Sequence, residues 1–475
     1  MRFGGLIINS FSFPEQVDFK SPVPAVFKQL GIELLEQDIK NNDNFLQNIY
    51  KATAGYDAVV IAYPDSPYYS FRENERLLTN FRRYKCDFGF ADNYPQGVVF
   101  EVIRREALPV MDNVRKQNQI AVNRAIFRNI IEIDVNMFDL ENLYTDKQLR
   151  VFRLSFFADS LQNKYILDRI AALPAAKKYG RETDFPELAD ALLANRHLLR
   201  TLPKYYEFEV TTRGAGAYIY SPYYNLTRPE TADLSLSDFK DILGQISSFT
   251  SNAVIGLNSY GHTLAHKQLL SMAEAVLQNG HNCLIESTPD QLDPAGREQL
   301  HSLLADAKLR IIFYLDAVDP ELYKYIHPAG KDFKTAMENV EYFLLRRQHN
   351  TYVQAVKMKC NFDHLVEFHK YFSKFTGNII IQKYNTFRDI LPERRINPMQ
   401  PLEKIDCWHL KREMFIKPDG NVPVCRQDIK GEHILGNLLK EDIHNIFSRG
   451  EEYFSRHING WDYCQNCDEY YTYNF

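Results

Sequence analysis

The chain has 475 residues, of which 45% are hydrophobic and 25% charged, and its formal net charge is -5 at pH 7. A chain of this length is expected to fold as two or three domains, and its composition excludes a largely disordered protein. The weak negative charge offers no general attraction for nucleic acid or anionic lipid, so neither is expected as a partner.

The sequence favours a cytoplasmic protein. The N-terminal segment lacks the long apolar core and small-residue cleavage site of a secretory signal. No apolar run reaches the roughly 18 residues of a membrane-spanning helix, so no membrane association is expected. The seven cysteines are therefore expected to stay reduced and available for metals rather than to form disulfides.

The first 150 residues alternate short apolar runs with helix-like stretches, which is typical of an α/β layer domain. The predicted strands lie at 6–8, 32–35 and 58–63, and the predicted helices lie near 22–31, 43–54 and 71–84. A mostly helical pattern follows from 151 to 204, broken by a polar stretch at 177–184. We interpret it as a helical connector.

Asp65 follows the third predicted strand, in the sequence Tyr-Pro-Asp-Ser-Pro. Mg²⁺ prefers hard oxygen ligands and often binds through one or two carboxylates and phosphates. The segment from 56 to 78 resembles nucleotidyltransferase and glycosyltransferase domains of the nucleotide-sugar type, which implies a divalent cation at Asp65. Those domains cradle phosphate with a Gly-rich loop, whereas here Ser10 leads directly to Phe11 and Pro14. Nucleotidyl transfer is therefore kept as an alternative function.

Strand and helix signals alternate again from 205 to 395. The predicted strands lie at 205–211, 253–258, 282–287, 310–317, 351–358 and 378–384. Six β/α units with short connections predict a parallel sheet, either open or curled into a partial barrel. The active sites of such sheets lie at the carboxyl ends of the strands.

Four cysteines near the C-terminus form the clearest metal signal: Cys407, Cys425, Cys464 and Cys467. The last two form a C-x2-C pair that can reach one metal site from a single loop. Asp-Gly at 419–420 predicts a hairpin whose return strand ends at Cys425. Seventeen residues separate the first two cysteines, unlike the paired knuckles common at structural zinc. The pattern favours a cubane iron–sulfur cluster, with zinc as the alternative.

The sequence around these cysteines, including the Leu435-Gly436-Asn437 step, resembles the SPASM domain, a C-terminal extension of many radical SAM enzymes. Fuller members of that family carry more cysteines and hold a second auxiliary cluster. The resemblance implies a small domain over 396–475 with one [4Fe–4S] cluster bound by the four cysteines. The whole chain most resembles a spirochaete-associated SPASM family in which the radical SAM cluster motif is often eroded.

The segment from 205 to 226 resembles the first strand and cluster loop of a radical SAM domain, which carries C-x3-C-x2-C. The register places those cysteine positions at Gly214, Tyr218 and Ser221, and none of these residues can supply a thiolate. His262 stands where the family has a carboxylate that meets the amine of SAM. The resemblance implies a partial (β/α)6 barrel, but the substitutions predict a lost SAM-cleaving site and make SAM a doubtful cofactor.

Several polar residues and thiols remain open to two interpretations. His262, His266 and Asp316 are either ordinary polar groups at strand ends or parts of a remodelled ligand pocket. The isolated cysteines are interpreted as structural thiols: Cys86, Cys283 and Cys360.

The predicted fold class is α/β in four parts. They are a nucleotide-sugar-transferase-like layer domain (1–150), a helical connector (151–204), a radical SAM-like partial barrel (205–395) and a SPASM domain (396–475). The predicted function is a non-radical iron–sulfur protein whose single cluster is structural or carries electrons. The alternatives are a peptide- or protein-modifying enzyme with a remodelled barrel pocket, and a nucleotidyltransferase. The expected partner is a peptide or protein substrate or a redox partner, and the catalytic residues are unknown.

Overall fold

The computed structural model describes residues 1–9, 19–147, 149–227, 229–330, 332–347, 349–397 and 404–471. The chain divides into two compact units, Met1–Leu199 and Arg200–Phe475. The finer division at 150, 204 and 395 stays a prediction. The segment predicted to lack a Gly-rich loop, with Ser10, Phe11 and Pro14, lies outside the described residues.

The first unit is built on a mixed six-stranded sheet. Its elements in chain order are β1 (Phe3–Ile7), α1 (Val23–Leu30), β2 (Glu33–Leu34), α2 (Phe45–Ala52), β3 (Ala58–Ala62), α3 (Phe71–Tyr84), β4 (Phe88–Ala91), β5 (Glu101–Arg104), α4 (Leu108–Gln117), α5 (Ile126–Ile131), β6 (Leu140–Leu143), α6 (Leu161–Ala171), α7 (Pro174–Lys178) and α8 (Phe185–Ala194). The strand order is β2-β1-β3-β5-β4-β6, and β5 runs antiparallel to both of its neighbours.

The local sequence explains the strongest elements of this unit. Every residue of β3 is apolar and buried, as expected of a central strand covered on both faces. Helix α3 begins at Ser70, whose hydroxyl accepts a hydrogen bond from the Glu73 N–H in the S-x-x-E pattern of a capping box. The three strands and three helices predicted before residue 84 are confirmed, whereas the four-residue strands β4, β5 and β6 were not predicted.

The second unit is built on a seven-stranded sheet. Its elements in chain order are β7 (Tyr205–Glu209), α9 (Leu236–Phe249), β8 (Val254–Asn258), α10 (Leu269–Gln278), β9 (Asn282–Ser287), α11 (Pro294–Leu303), β10 (Leu309–Tyr314), α12 (Pro320–Ile326), α13 (Phe333–Arg347), β11 (Thr351–Lys357), α14 (Leu365–Phe372), β12 (Ile379–Lys383), α15 (Trp408–Arg412), β13 (Glu413–Ile416), β14 (Asn421–Pro423), β15 (Ile434–Asn437) and α16 (Ile443–Ile458).

All pairings in this sheet are parallel, in the order β12-β11-β10-β9-β8-β7-β13. The predicted α/β class and the six predicted strands of the parallel sheet are confirmed. The cysteine-containing tail contributes the seventh strand, because β13 pairs with β7. Side chains at the carboxyl ends of the strands therefore lie at one edge, where the tail also packs.

The predicted hairpin at residues 419–420 differs from the structure in its pairing. A tight turn does form, with Gly420 at a φ of 80° and the Lys417 N–H donating to the Asn421 carbonyl at 2.9 Å. However, β13 joins the large sheet while β14 pairs antiparallel with β15. Cys425 still follows the return strand, two residues after Pro423.

Among the described residues, no helix combines the length and the apolar character needed to cross a membrane.

Candidate functional site

The four tail cysteines share one neighbourhood. All are free thiols. Burial raises the pKa of Cys407 well above its usual value, and the charges of Cys467, Cys425 and Cys464 raise it further. Burial also raises the pKa of Cys425, again with contributions from Cys467 and Cys464. Four thiols from three separate segments of the tail therefore lie close enough to interact electrostatically.

A backbone amide is directed at one of these thiols, because the Glu469 N–H donates to Cys467 Sγ at 3.5 Å. At Cys407 and Cys425 the backbone amides of Leu410 and Gln427 oppose the rise in pKa that burial causes. Such N–H donors stabilise negative charge on sulfur and are a means by which proteins tune iron–sulfur clusters. The donor set therefore suits thiolate ligands.

Cys464 lacks such an amide but lies beside two cations. Burial raises its pKa to about 11, while the charges of Lys404 and Arg388 oppose that rise. The Arg388 guanidinium also lies 3.2 Å from the centre of the Tyr463 ring and donates to the Tyr463 carbonyl at 2.9 Å. Cationic groups favour the thiolate form that binds metal.

An aromatic cluster packs beside the C-x2-C segment. Its members are His433, Tyr453, Trp461 and Tyr463, with Trp461 and Tyr463 stacked at 4.7 Å between ring centres. The Cys407 N–H donates to His457 Nε2 at 2.9 Å, which fixes the first cysteine against α16. The cysteine segments are thus held by packing as well as by any metal.

No three His, Cys, Asp or Glu side chains within the described ranges are gathered as a single-ion metal group. A cubane cluster binds each of four thiolates at a different iron, so its ligands need not converge on one point. The four cysteines are the residues of this chain that could hold such a cluster.

The three positions at which the sequence resemblance places the cluster cysteines make internal contacts. The Tyr218 hydroxyl donates to the Ser259 carbonyl at 3.3 Å, and the Ser221 hydroxyl donates to the Tyr260 carbonyl at 2.6 Å. Gly214 adopts a φ of 65°, and a β-carbon added there would lie 2.1 Å from His262 Cδ2. The residues present at 214, 218 and 221 do not fit an iron–sulfur cluster.

Replacing Gly214 with alanine should destabilise the second unit by about 2–4 kcal/mol, because a left-handed φ and a steric clash add. The matched control is Gly280→Ala, since Gly280 has a φ of 79° but no atom within 4 Å of an added β-carbon. That control should cost only about 1 kcal/mol. Urea unfolding measures both, and adding His262→Ala should recover part of the Gly214→Ala loss. Equal losses for the two glycine variants would contradict the close packing of this loop.

Asp316 lies at the centre of a buried polar network behind this loop. Its Oδ2 accepts hydrogen bonds from the Tyr220 hydroxyl at 2.7 Å and from His327 Nε2 at 2.8 Å. Its Oδ1 accepts from the Val356 N–H at 2.6 Å. Asp316 and His327 are 1% and 2% exposed. Asp316, which the sequence left open, is thus a buried structural hub, and its partner Tyr220 lines the cavity described next.

His262 and His266 have local partners. His262 Nδ1 is 3.2 Å from the Thr288 hydroxyl, and His266 Nε2 donates to the Leu234 carbonyl at 3.0 Å. Burial lowers the pKa of His266. These local hydrogen bonds agree with the interpretation of the two histidines as ordinary polar groups rather than as parts of a ligand pocket.

A cavity of about 420 Å³ opens at the carboxyl ends of the parallel strands, between them and the tail. Two cations at its edge are ion-paired: Arg426 Nη2 is 3.2 Å from Glu207, and Lys383 Nζ is 3.0 Å from Asp468. Burial raises the pKa of Glu207 to about 7, although Arg426 opposes the rise. The sequence analysis did not identify these residues as part of a site. Only Arg426 could have been suspected, because it directly follows the proposed ligand Cys425.

The first unit contains a separate cavity of about 190 Å³. Arg124 and Glu101 line it, and burial raises the pKa of Glu101 to about 7. Asp65 is fully buried, its Oδ2 forms an ion pair with Arg124 at 2.8 Å, and burial raises its pKa. The divalent cation site at Asp65 stays a prediction, and the ion pair already neutralises that carboxylate.

Residues 407–468 match the family model of the SPASM iron–sulfur cluster-binding domain. The match begins at the first of the four cysteines and includes the last. The predicted SPASM domain is therefore confirmed over these residues.

The chain is also similar to other proteins. An uncharacterized protein of Treponema pallidum (strain Nichols) is 29% identical over 370 residues, which cover 73% of this chain and 97% of that protein. SuiB of Streptococcus suis, solved bound to precursor peptide SuiA, is 11% identical with a TM-score of 0.46, covering 64% of this chain and 80% of SuiB. BtrN, solved in complex with AdoMet and 2-DOIA, is 16% identical with a TM-score of 0.39, covering 56% of this chain and 92% of BtrN.

Proposed function

We propose, with the SPASM domain as the premise, that the protein binds one [4Fe–4S] cluster through Cys407, Cys425, Cys464 and Cys467 and does not cleave SAM. When bound, such a cluster cross-links the segments that carry its ligands and can accept or donate a single electron. The proposed role of the protein is therefore structural or electron-transferring rather than radical-generating.

The observation that carries the proposal is that four thiols interact electrostatically in one part of the tail, where the Glu469 N–H donates to Cys467 Sγ at 3.5 Å. A buried thiol without a metal is ordinarily neutral, and an amide aimed at its sulfur gains most when the sulfur is a thiolate. The Glu469 amide provides this arrangement at Cys467. The backbone amides of Leu410 and Gln427 oppose the rise in pKa at Cys407 and Cys425, which also favours the thiolate form that a cluster needs.

The proposed loss of SAM cleavage rests on the loop at 214–221. It offers no sulfur ligand, and its Tyr218 and Ser221 hydroxyls are engaged with backbone carbonyls. A cluster that cleaves SAM needs three protein ligands with one iron left open. Restoring that arrangement would require displacing His262 from Gly214 as well as changing three side chains.

Anaerobic reconstitution of the full chain with iron and sulfide tests the proposal. About four irons per chain are expected, since four cysteines suit one cubane. No 5′-deoxyadenosine should form when the reduced protein is given SAM, as measured by chromatography. About eight irons, or SAM cleavage above a protein-free control, would contradict the proposal. Binding of zinc with no sulfide incorporation would favour the structural-zinc alternative.

A peptide- or protein-modifying enzyme is the second candidate, and the cavity of about 420 Å³ beside the tail favours it. Such a role would use the cavity for substrate and the cluster for electrons. Nucleotidyl transfer through the first unit has less support, because Arg124 already neutralises the carboxylate of Asp65.

A further inference from the structure

The cavity at the carboxyl ends of the parallel strands contains a carboxylate for which the described residues provide no direct ion-pair partner. Its volume of about 420 Å³ lies within the range of small-molecule sites, about 300–1,000 Å³. Glu286, from the end of β9, lines the cavity and is only 9% exposed. We propose that this cavity binds a small organic cation, specifically a primary alkylammonium group, with Glu286 as its counter-ion.

The other charges around the cavity are already paired. Lys383 lies between Asp468, at 3.0 Å, and Glu469. Arg426 is paired with Glu207 at 3.2 Å, and His409 Nδ1 lies 2.6 Å from Glu413. Each cationic side chain at the cavity therefore has its own acidic partner.

Glu286 differs from these residues. Among the described residues, no Lys, Arg or His nitrogen lies within 4.0 Å of its carboxylate. It accepts a hydrogen bond from the Tyr314 hydroxyl. Burial raises the pKa of Tyr314 well above its usual value, so this hydroxyl remains neutral and brings no positive charge. The charge of Arg426 also acts on Glu286, but the ion pair of Arg426 is with Glu207. A carboxylate that is nine-tenths buried without a direct ion-pair partner is costly, and a ligand cation would reduce that cost.

The rest of the lining suits an ammonium ion with an alkyl body. Five aromatic side chains contribute to it: Tyr218, Tyr220, Tyr260, Tyr314 and Phe387. Aromatic rings attract organic cations and also accept apolar chains. Gln354 lies in the same lining and is 7% exposed, and its amide oxygen can accept from one of the three ammonium N–H groups.

Calorimetric titration of the reconstituted full chain with n-butylamine and with 1-butanol tests the assignment. The amine should bind and the alcohol should not, because they differ mainly in charge. Glu286→Gln should weaken amine binding at least about tenfold, the usual scale for a charge-assisted hydrogen bond. The matched control is Glu341→Gln, since Glu341 also accepts from a tyrosine hydroxyl, that of Tyr371, but does not line the cavity. It should leave binding unchanged.

Equal binding of amine and alcohol, no binding of the amine, or undiminished binding by Glu286→Gln would each overturn the inference. So would binding of SAM alone, which would assign the site to the whole SAM molecule rather than to an alkylammonium group. The amine–alcohol comparison uses the unaltered protein, so misfolding of a variant cannot mask the answer. Iron is counted on the same samples: amine binding without a cluster would support this inference while contradicting the proposed function, and a cluster without amine binding would do the reverse.

Discussion

Cys425→Ala is expected to abolish stable cluster assembly, lowering the iron content after reconstitution from about four per chain to well below one. The residue supplies one of four proposed ligands, and its thiol interacts electrostatically with those of Cys464 and Cys467. A cubane with one cysteine missing has an exposed iron and is readily lost. Iron and sulfide analysis, together with the visible absorbance of the cluster, measures the effect.

Cys360→Ala is the matched control for this experiment. Cys360 is a partly buried free thiol in the same unit, and the four proposed ligands do not include it. It should retain the full iron content. Loss of iron from both variants would indicate general destabilisation, and retention of four irons in Cys425→Ala would show that the ligand assignment is wrong.

The cluster variant should also be less stable than the reconstituted parent. Metal binding to a site that exists only in the folded chain adds its binding free energy to folding. The tail contributes β13 to the parallel sheet, so loosening the cysteine segments should weaken the edge next to β7. Hydrogen exchange at Met414 and Phe415, compared with and without cluster, would detect this effect.

The sequence predicted those parts of the fold that depend on local pattern. Strand β3 was predicted because its residues form an unbroken apolar run, and all of them are buried. The SPASM domain was predicted because its cysteines and the residues around them form a recognisable sequence pattern between residues 407 and 468. The turn at Gly420 was predicted for the same reason, since a positive φ favours glycine.

Features that depend on distant parts of the chain could not be predicted in this way. The pairing of β13 with β7 brings together segments from the beginning and end of the second unit, and it overrides the local preference for a hairpin. The Glu207–Arg426 ion pair depends on that packing. The lack of a direct ion-pair partner for Glu286 becomes visible only when every neighbouring cation has been assigned its own ion pair. The spacing of residues along the sequence does not show which charged side chains form ion pairs in the folded protein.

Asp316→Ala is expected to lower the free energy of unfolding of the protein by about 3–5 kcal/mol. The change removes the acceptor for three buried donors, from Tyr220, His327 and Val356. It also places alanine at a φ of 64°, which aspartate tolerates better. Urea unfolding of the full chain, followed by fluorescence and far-ultraviolet circular dichroism, measures the loss.

Asp319→Ala provides the comparison that separates this network from ordinary capping. Asp319 is nearby in the chain and accepts from the Leu322 N–H at 2.8 Å at the start of α12, so its removal should cost about 1 kcal/mol. A loss for Asp316→Ala no larger than this would mean that water satisfies the three donors. The network would then not be what holds Tyr220 against the cavity. A large loss would mean that the Asp316 network stabilises the second unit and, through the Tyr220 hydroxyl, the end of the loop at 214–221.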